Sequence, residues 1–223
     1  MTVVNRSDRA IEPEEAFGYT TVNRFLCTAT FRGFTRVTPG NCGLVRLHVD
    51  DSDMKNDHIS HFNQIDMGFE ILNADDSLER FDKSDPVNVW TDPNPVPETP
   101  YDPQTATTLL DYEGLEVVVV SWKRNERNNF LLEFYVDNHT GEYLWVEFTG
   151  EAVNGTPLRV YDSVSVRDND RSYKYLTLWS DDLEQAGIEA VSEITVWVEA
   201  SHGFAGGKFV RSREHTVAIR EGS

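Results

Sequence analysis

The organisation of this chain is decided by the stretch Trp90-Thr-Asp-Pro-Asn-Pro-Val-Pro-Glu-Thr-Pro-Tyr-Asp-Pro103. Five of the nine prolines fall between Pro93 and Pro103. Proline lacks a backbone N–H, fixes φ at about −65° and restricts the residue before it to extended geometry. The stretch can therefore be neither a helix nor a central strand. It is typical of an extended, semi-rigid spacer that divides the chain into two halves.

Alternating apolar and polar residues predict strands in both halves. The alternation is clearest in residues 25–31, 132–137, 143–148 and 194–199. A period of two places the apolar residues on one face, which is typical of a half-buried antiparallel strand. Residues 117–120 are a continuous apolar run, which predicts a strand buried on both faces. Turn residues such as Asn154-Gly155 separate these runs and favour a β-sandwich or barrel.

We therefore predict an all-β protein with two β-rich domains joined by the proline-rich linker. The predicted parts are a mobile tail over 1–18, an N-terminal β-rich domain over 19–90, the linker over 91–106 and a C-terminal domain over 107–223. No internal repeat is convincing in the sequence, although the two halves could be distant copies of one domain type.

Two short helices are predicted. Asp181 is a suitable N-cap for the first, Glu184 could close a capping box, and Gly187 would end the helix. The second helical pattern is weaker and covers residues 58–65.

Composition and charge exclude several classes of function. The 223 residues carry a net charge of −18, and the chain has no basic tail. Nucleic acid and anionic membrane surfaces are therefore unfavourable partners. No stretch approaches the roughly 20 apolar residues that cross a bilayer. Residues 1–17 lack the apolar segment of a signal peptide. We expect an extracytoplasmic protein if a leader has been removed, and a cytoplasmic one otherwise.

Five motifs follow one another in the second half. They are the turn Leu110-Asp-Tyr-Glu-Gly114, a strand over 117–122, the segment Leu132-Glu-Phe-Tyr-Val-Asp-Asn-His-Thr140, the turn Val153-Asn-Gly155, and a short helix with a following strand over 182–198. In this order they resemble a family of immunoglobulin-like sandwich domains from bacterial envelope lipoproteins of unknown function. The resemblance covers residues 107–220. It departs at 167–172, where the family usually has a Gly-Lys turn.

The resemblance implies that residues 107–223 are an immunoglobulin-like antiparallel sandwich. It also implies an extracytoplasmic, lipid-anchored or secreted module without enzymatic activity. It brings no known ligand and no catalytic residues, and it does not cover the first half of the chain.

One polar cluster is a candidate metal site. It consists of Asp50, Asp51, Asp53, Asp57, His58 and His61. Oxygen-rich loops bind Ca²⁺, and two histidines three residues apart on a helix can bind Zn²⁺. The spacing does not match an EF-hand, because the fifth position is Lys55 and the central glycine is missing. The alternative is a solvated acidic loop followed by a helical turn that Asp57 caps.

Aromatic residues at outward-facing strand positions are a candidate partner surface. They are Tyr143, Trp145, Tyr173, Tyr175 and Trp197, with Trp179 at the same parity as the two tyrosines of its strand. An exposed face of this kind would suit a protein or a carbohydrate. The alternative is that these rings pack against another layer of the protein.

The two cysteines, Cys27 and Cys42, flank a Pro-Gly-Asn turn. This spacing suits a disulfide across a hairpin, and two free thiols are the alternative. Neither cysteine lies in a known catalytic signature, and the sequence contains no Gly-x-Ser-x-Gly motif or phosphate-binding loop.

The leading hypothesis is a non-enzymatic binding or spacer module of a bacterial envelope or secreted protein, monomeric or weakly oligomeric, without a cofactor. One alternative is an adhesin-type module stabilised by Ca²⁺ or another metal at residues 48–61. Another is a cytosolic or phage structural protein.

Limited proteolysis tests the two-domain organisation. We expect the first cuts within 91–106, or in the tail before Phe17, because exposed extended segments fit a protease active site. Mass spectrometry of the early fragments identifies the sites. Cleavage inside 115–200 at a comparable rate would contradict two compact domains.

Overall fold

The computed structural model describes residues 2–15, 20–33, 36–83, 87–91, 100–203 and 206–219. The chain is all-β, as predicted, with antiparallel sheets and two helices of six residues each. Its internal contacts define two compact units, residues 1–96 (unit 1) and 97–223 (unit 2). Among the described residues, no helix is long and apolar enough to span a membrane.

The described part of unit 1 consists of short strands and one helix. These are β1 (Thr2–Val4), β2 (Ile11–Glu15), β3 (Thr21–Val22), β4 (Phe25–Leu26), β5 (Ala29–Gly33), β6 (Cys42–Val49), α1 (Asp51–Asn56), β7 (Gln64–Met67), β8 (Phe69–Asn73), β9 (Asp76–Lys83) and β10 (Val87–Trp90). Neighbouring strands follow the orders β1-β6-β5, β2-β8-β9 and β10-β7-β3-β4.

Unit 2 has longer strands. These are β11 (Thr107–Tyr112), β12 (Leu115–Arg124), β13 (Phe130–Asn138), β14 (Leu144–Val153), β15 (Thr156–Val166), β16 (Arg171–Leu178), α2 (Ser180–Gln185), β17 (Glu193–His202), β18 (Lys208–Arg211) and β19 (His215–Ala218). One group of strands has the order β11-β12-β13-β16. A separate sheet has the order β15-β14-β17-β18, and β19 also pairs with β17.

The inner faces of these two layers share one hydrophobic core. The rings of Phe134 on β13 and Phe148 on β14 are 4.5 Å apart between centroids, and both side chains are fully buried. The apolar run predicted to be buried on both faces is confirmed, because Val117, Val118 and Val119 of β12 are all buried. Burial of these aliphatic and aromatic side chains is the main favourable contribution to the folding of unit 2.

Strand β13 is more buried than its alternating pattern predicted. Its second face carries Glu133, which is 4% exposed, and Tyr135, which is 1% exposed. Both polar groups have partners, since Glu133 accepts hydrogen bonds from Ser121 and Tyr175 at 2.5 Å each and the Tyr135 hydroxyl donates to Asp137 at 2.9 Å. These hydrogen bonds compensate for the loss of water and let both faces of the strand be buried.

Helix α2 forms where it was predicted, but its N-cap prediction was wrong. The N-cap is Trp179, without a side-chain hydrogen bond, and Asp181 lies in the first turn. The N–H of Ser180 donates to Asn129 Oδ1 at 3.0 Å, so a distant loop residue replaces the local cap. The predicted end is confirmed: Gly187 has φ +70°, and the N–H groups of Gly187 and Ile188 bond to the carbonyls of Glu184 and Leu183. This is a Schellman ending.

Two predictions for the first half differ from the structure. Residues 2–15, predicted as part of a mobile tail, contribute β1 and β2, so we no longer expect early proteolysis before Phe17. The single strand predicted over 25–31 is two strands, β4 and β5, although the alternation is confirmed for Phe25, Cys27 and Ala29, which are buried.

The two units repeat one hydrogen-bonding motif centred on a buried asparagine. In unit 2, Asn138 Nδ2 donates to the carbonyls of Glu142 (2.8 Å) and Val166 (3.0 Å). Its Oδ1 accepts from the N–H and hydroxyl of Thr140, at 3.0 and 2.8 Å. In unit 1, Asn5 makes the same four bonds. The donors and acceptors there are the carbonyls of Arg9 (2.7 Å) and Val37 (2.8 Å) and the N–H (2.9 Å) and hydroxyl (2.7 Å) of Ser7.

A second asparagine motif repeats as well. Asn154 Oδ1 accepts from the N–H groups of Ser192 and Glu193, and its Nδ2 donates to the carbonyl of Ala190. In unit 1, Asn23 makes the corresponding bonds to Asn63, Gln64 and His61.

The elements around these motifs match in length and register. Strand β6 corresponds to β16, α1 to α2, and β7 with β8 to β17. The pair Val4↔Cys42 of β1 and β6 corresponds to Asp137↔Arg171 of β13 and β16. The pair Ile11↔Val37 corresponds to Leu144↔Val166. The chain therefore contains an internal structural repeat that its sequence did not make convincing.

The asparagine motif predicts a large loss of stability on substitution. Asn138→Ala removes the partners of two carbonyls and one N–H in a buried site, so we expect it to destabilise the fold by at least about 2 kcal/mol. Urea unfolding followed by circular dichroism measures this. Gln185→Ala, on the exposed side of α2, is the control and should stay within about 0.5 kcal/mol of the parent. Equal losses in the two variants would contradict the structural role of Asn138.

Candidate functional site

The predicted metal cluster is mostly a helix. Asp51–Asn56 form α1, and Asp50 is its N-cap. Asp50 Oδ1 accepts hydrogen bonds from the hydroxyl (2.6 Å) and N–H (2.7 Å) of Ser52, and these bonds lower the pKa of Asp50. Asp53 accepts from the N–H of Thr28 at 2.5 Å. These two carboxylates therefore hold local structure together.

The predicted helix over 58–65 is wrong, and with it the shared helical face of the two histidines. Asp57 is the C-cap of α1, not an N-cap, and His58 has φ +54° directly after it. His61 Nδ1 lies 2.9 Å from the hydroxyl oxygen of Ser60. Across the part of the chain that the structure describes, no three His, Cys, Asp or Glu side chains group to hold a metal ion. The six predicted ligands thus do not form a site.

The predicted aromatic surface is divided between two strand layers. Trp145 and Trp197 lie on β14 and β17, whereas Tyr173 and Tyr175 lie on β16 in the other layer. Because the two layers pack through their inner faces, their outer faces point in opposite directions. The five residues therefore cannot form one continuous surface, and that prediction is wrong.

Several of these rings are also covered. Trp197 is 8% exposed, because the guanidinium carbon of Arg211 lies 3.8 Å from its ring centroid. Its Nε1 donates to Glu151 Oε1 at 2.8 Å. Tyr173 donates to the carbonyl of Pro100, and its ring lies 5.4 Å from that of Tyr135. Tyr143, 47% exposed, is the most accessible of the five.

The two cysteines are free thiols, so the cross-hairpin disulfide prediction is wrong. The register of β5 on β6 pairs Ala29 with Val49 and Gly33 with Val45. Extending this register places Cys27 opposite residue 51, nine residues from Cys42, or roughly 30 Å along an extended strand. A disulfide needs Cα atoms within about 7 Å. Burial, with smaller contributions from the Asp57 and Asp53 carboxylates, raises the pKa of the Cys27 thiol to about 12.

The most prominent concave surface of unit 1 is an open groove of about 950 Å³, which we call the apolar groove. Strand β6, helix α1, the segment after it and strand β7 supply its walls. Its apolar lining consists of Leu47, Val49, Met54, Ile59, Phe62, Ile65 and Met67. His48, Asp51, Lys55, His61 and Thr91 add polar atoms. The predicted metal segment thus borders this groove instead of forming an ion site.

Sequence reasoning missed the groove because it weighed the polar residues of 48–61 and passed over the apolar ones between them. Leu47 and Val49 alternate with polar residues along β6, as Ile65 and Met67 do along β7. This period of two was a usable signal for two inward-facing strands.

No protein-family model and no curated protein matches the chain. The argument for function therefore starts from the groove and from the repeated architecture.

The scattered carboxylates predict that metal removal has no effect. We expect the same melting temperature after EDTA treatment, and again after addition of excess Ca²⁺ or Zn²⁺. A cation that bound only the native state at 100 times its Kd would add about 2.7 kcal/mol of stability. Thermal melts followed by circular dichroism make the comparison. An upward shift that Asp53→Asn abolishes would restore the metal hypothesis.

Proposed function

We propose that this protein is a non-enzymatic binding module made of two immunoglobulin-like sandwich units, and that it binds its partner through the apolar groove of unit 1. The single observation that carries the proposal is the groove itself, since it leaves apolar side chains accessible to water in a folded unit. Phe62, for example, is 43% exposed. Exposed apolar concavities of this size are typical of ligand and partner sites.

The chemistry of the lining favours a partner that is itself apolar. Seven aliphatic, aromatic or thioether side chains form most of the walls. Removing them from water gives binding energy in proportion to the area covered. A carbohydrate, the other partner class predicted from sequence, would need polar contacts or an aromatic platform, and the predicted aromatic residues are divided and partly covered.

The immunoglobulin-like part of the proposal is supported by the strand connectivity of unit 2. Without β11, its strands from β12 to β18 divide into first, second and fifth in one layer, and fourth, third, sixth and seventh in the other. Placing the first, second and fifth strands together against the third, sixth and seventh is a feature of immunoglobulin-like sandwiches. The Asn-x-Thr and Asn-Gly elements behind the sequence resemblance are also the ones that repeat in unit 1. An extracytoplasmic location rests on that resemblance alone.

Dye binding tests whether the groove is an accessible apolar site. We expect 8-anilinonaphthalene-1-sulfonate to fluoresce more strongly with the native protein, because it inserts among apolar side chains. The double variant Leu47→Ser/Phe62→Ser should lose most of this enhancement. Trp179→Ser, which removes another exposed large side chain, should keep it.

Near-ultraviolet circular dichroism must show native packing in all three proteins, because partly unfolded states also bind the dye. Equal enhancement in the double variant and the parent would overturn the assignment of binding to this groove.

A further inference from the structure

We infer that the apolar groove of unit 1 is a receptor for a β-strand. A partner polypeptide with apolar side chains at alternate positions would pair antiparallel with β6 and complete the sandwich of unit 1. This inference rests on the proposed function, because it names the partner of the same groove. Strand addition of this kind takes affinity from main-chain hydrogen bonds and specificity from alternate side chains.

The first support is the internal repeat, which shows what unit 1 lacks beside β6. Strand β1 corresponds only to the end of β13, residues 135–137. In unit 2, β13 also pairs through residues 130–133 with residues 175–178 of β16. The matching length of β6 is 46–49. Within the described ranges of unit 1, no strand lies there on the side that β1 occupies. The counterpart of β12 is likewise not among the described strands.

The second support is that the groove residues occupy core positions of the repeat. By the equivalence of β6, α1 and β7 with β16, α2 and β17, the groove positions Leu47, Val49, Met54, Ile59, Ile65 and Met67 correspond to Leu176, Leu178, Leu183, Ile188, Ile194 and Val196. All six of these unit 2 residues are 9% exposed or less. In unit 1, Leu47, Val49, Met54 and Ile65 are only half-buried.

The side chains that cover these positions in unit 2 come from the two strands that unit 1 lacks. They are Leu115, Val117 and Val119 of β12 and Phe130 and Leu132 of β13, and all belong to the same core. The groove of about 950 Å³ is therefore the space that a strand or hairpin fills in the complete unit. This identifies its occupant as a strand with inward-facing apolar residues.

The third support is charge. Arg46 and His48 are exposed on β6 and correspond to Tyr175 and Thr177, which lie opposite Glu133 and Leu131 in unit 2. Lys55 lines the groove as well. In a protein with a net charge of −18, this is a locally basic strip. Opposite charges on adjacent strands attract, so we expect the incoming strand to carry an acidic residue beside Arg46.

A synthetic hairpin with the sequence of residues 115–134 is the probe, because it contains β12 and the part of β13 that unit 1 lacks. We expect it to bind the full chain, to raise its melting temperature and to protect the amides of residues 46–49 from hydrogen exchange. A peptide with Asp at the positions of Phe130 and Leu132 should bind at least about tenfold more weakly, because it loses two inward-facing apolar side chains. A peptide with Asp at Leu131, which faces outward, should bind like the parent peptide.

Two chain variants locate the peptide. Leu47→Asp should abolish binding, whereas Leu44→Asp, a matched change on the exposed side of the same strand, should not. Because Leu47→Asp could disturb folding, the exposed residue Arg46 gives an independent test. Arg46→Glu should weaken the parent peptide, and a peptide with Arg at the position of Glu133 should restore binding.

The outcomes separate this inference from the proposed function. If the dye binds in the groove but the hairpin neither binds nor protects 46–49, the strand inference is wrong while a binding groove stands. If inward and outward Asp peptides bind equally, the alternation is not read and the inference is also wrong. Sedimentation that shows a dimer, dissociated by Leu47→Asp and unaffected by the hairpin, would assign the groove to a second copy of the chain instead.

Discussion

In each unit, one buried asparagine side chain holds together the place where the chain crosses between strand layers. The carboxamide of Asn138 bonds to backbone at the end of β13, just before β14 and at the end of β15. A carboxamide has two donors and an acceptor oxygen, so it can satisfy backbone groups from three segments at once. Burial strengthens these bonds and makes an unpaired group costly, which fixes the crossover in one arrangement. Asn5 imposes the same constraint on unit 1.

The same frame leads to two different surfaces. In unit 2, β12 and β13 close the core, and the inward side chains of β16, α2 and β17 are fully covered. In unit 1, the equivalent β6, α1 and β7 keep their apolar alternation and their register, but their side chains line an open groove. The difference lies in which strands are present beside β6, and it converts core positions into a binding surface. The proposed function follows from that difference.

Local chemistry made much of this structure predictable from sequence. Period-two alternation identified β14 and β17, and Gly187 ended α2, because both signals act within a few residues. The N-cap of α2 was missed because its partner, Asn129, is 51 residues away in the chain. Asp50 was misread as a ligand because the same oxygen chemistry that binds cations also caps helices. The repeat was hidden because it is kept by a few asparagines and by apolar character, while α1 and α2 share little sequence, DSDMKN against SDDLEQ.

The groove escaped prediction for a different reason. Its residues have the pattern of an ordinary core, and sequence alone does not show whether a strand lies across them. Only the comparison of the two units reveals that the covering strands are found in one and not among the described strands of the other.

The hairpin strands differ between the units in one respect that bears on how the chain folds. Strand β15 pairs with β14, whereas β5, after the equivalent asparagine turn, pairs with β6. Adjacent domains of similar architecture are prone to exchange elements during folding, and the misassembled products are long-lived. Because β5 and β15 take different neighbours, a strand from one unit placed in the other would meet the wrong edge. The divergence of these two strands thus acts as a safeguard against entanglement of the tandem repeat as it leaves the ribosome.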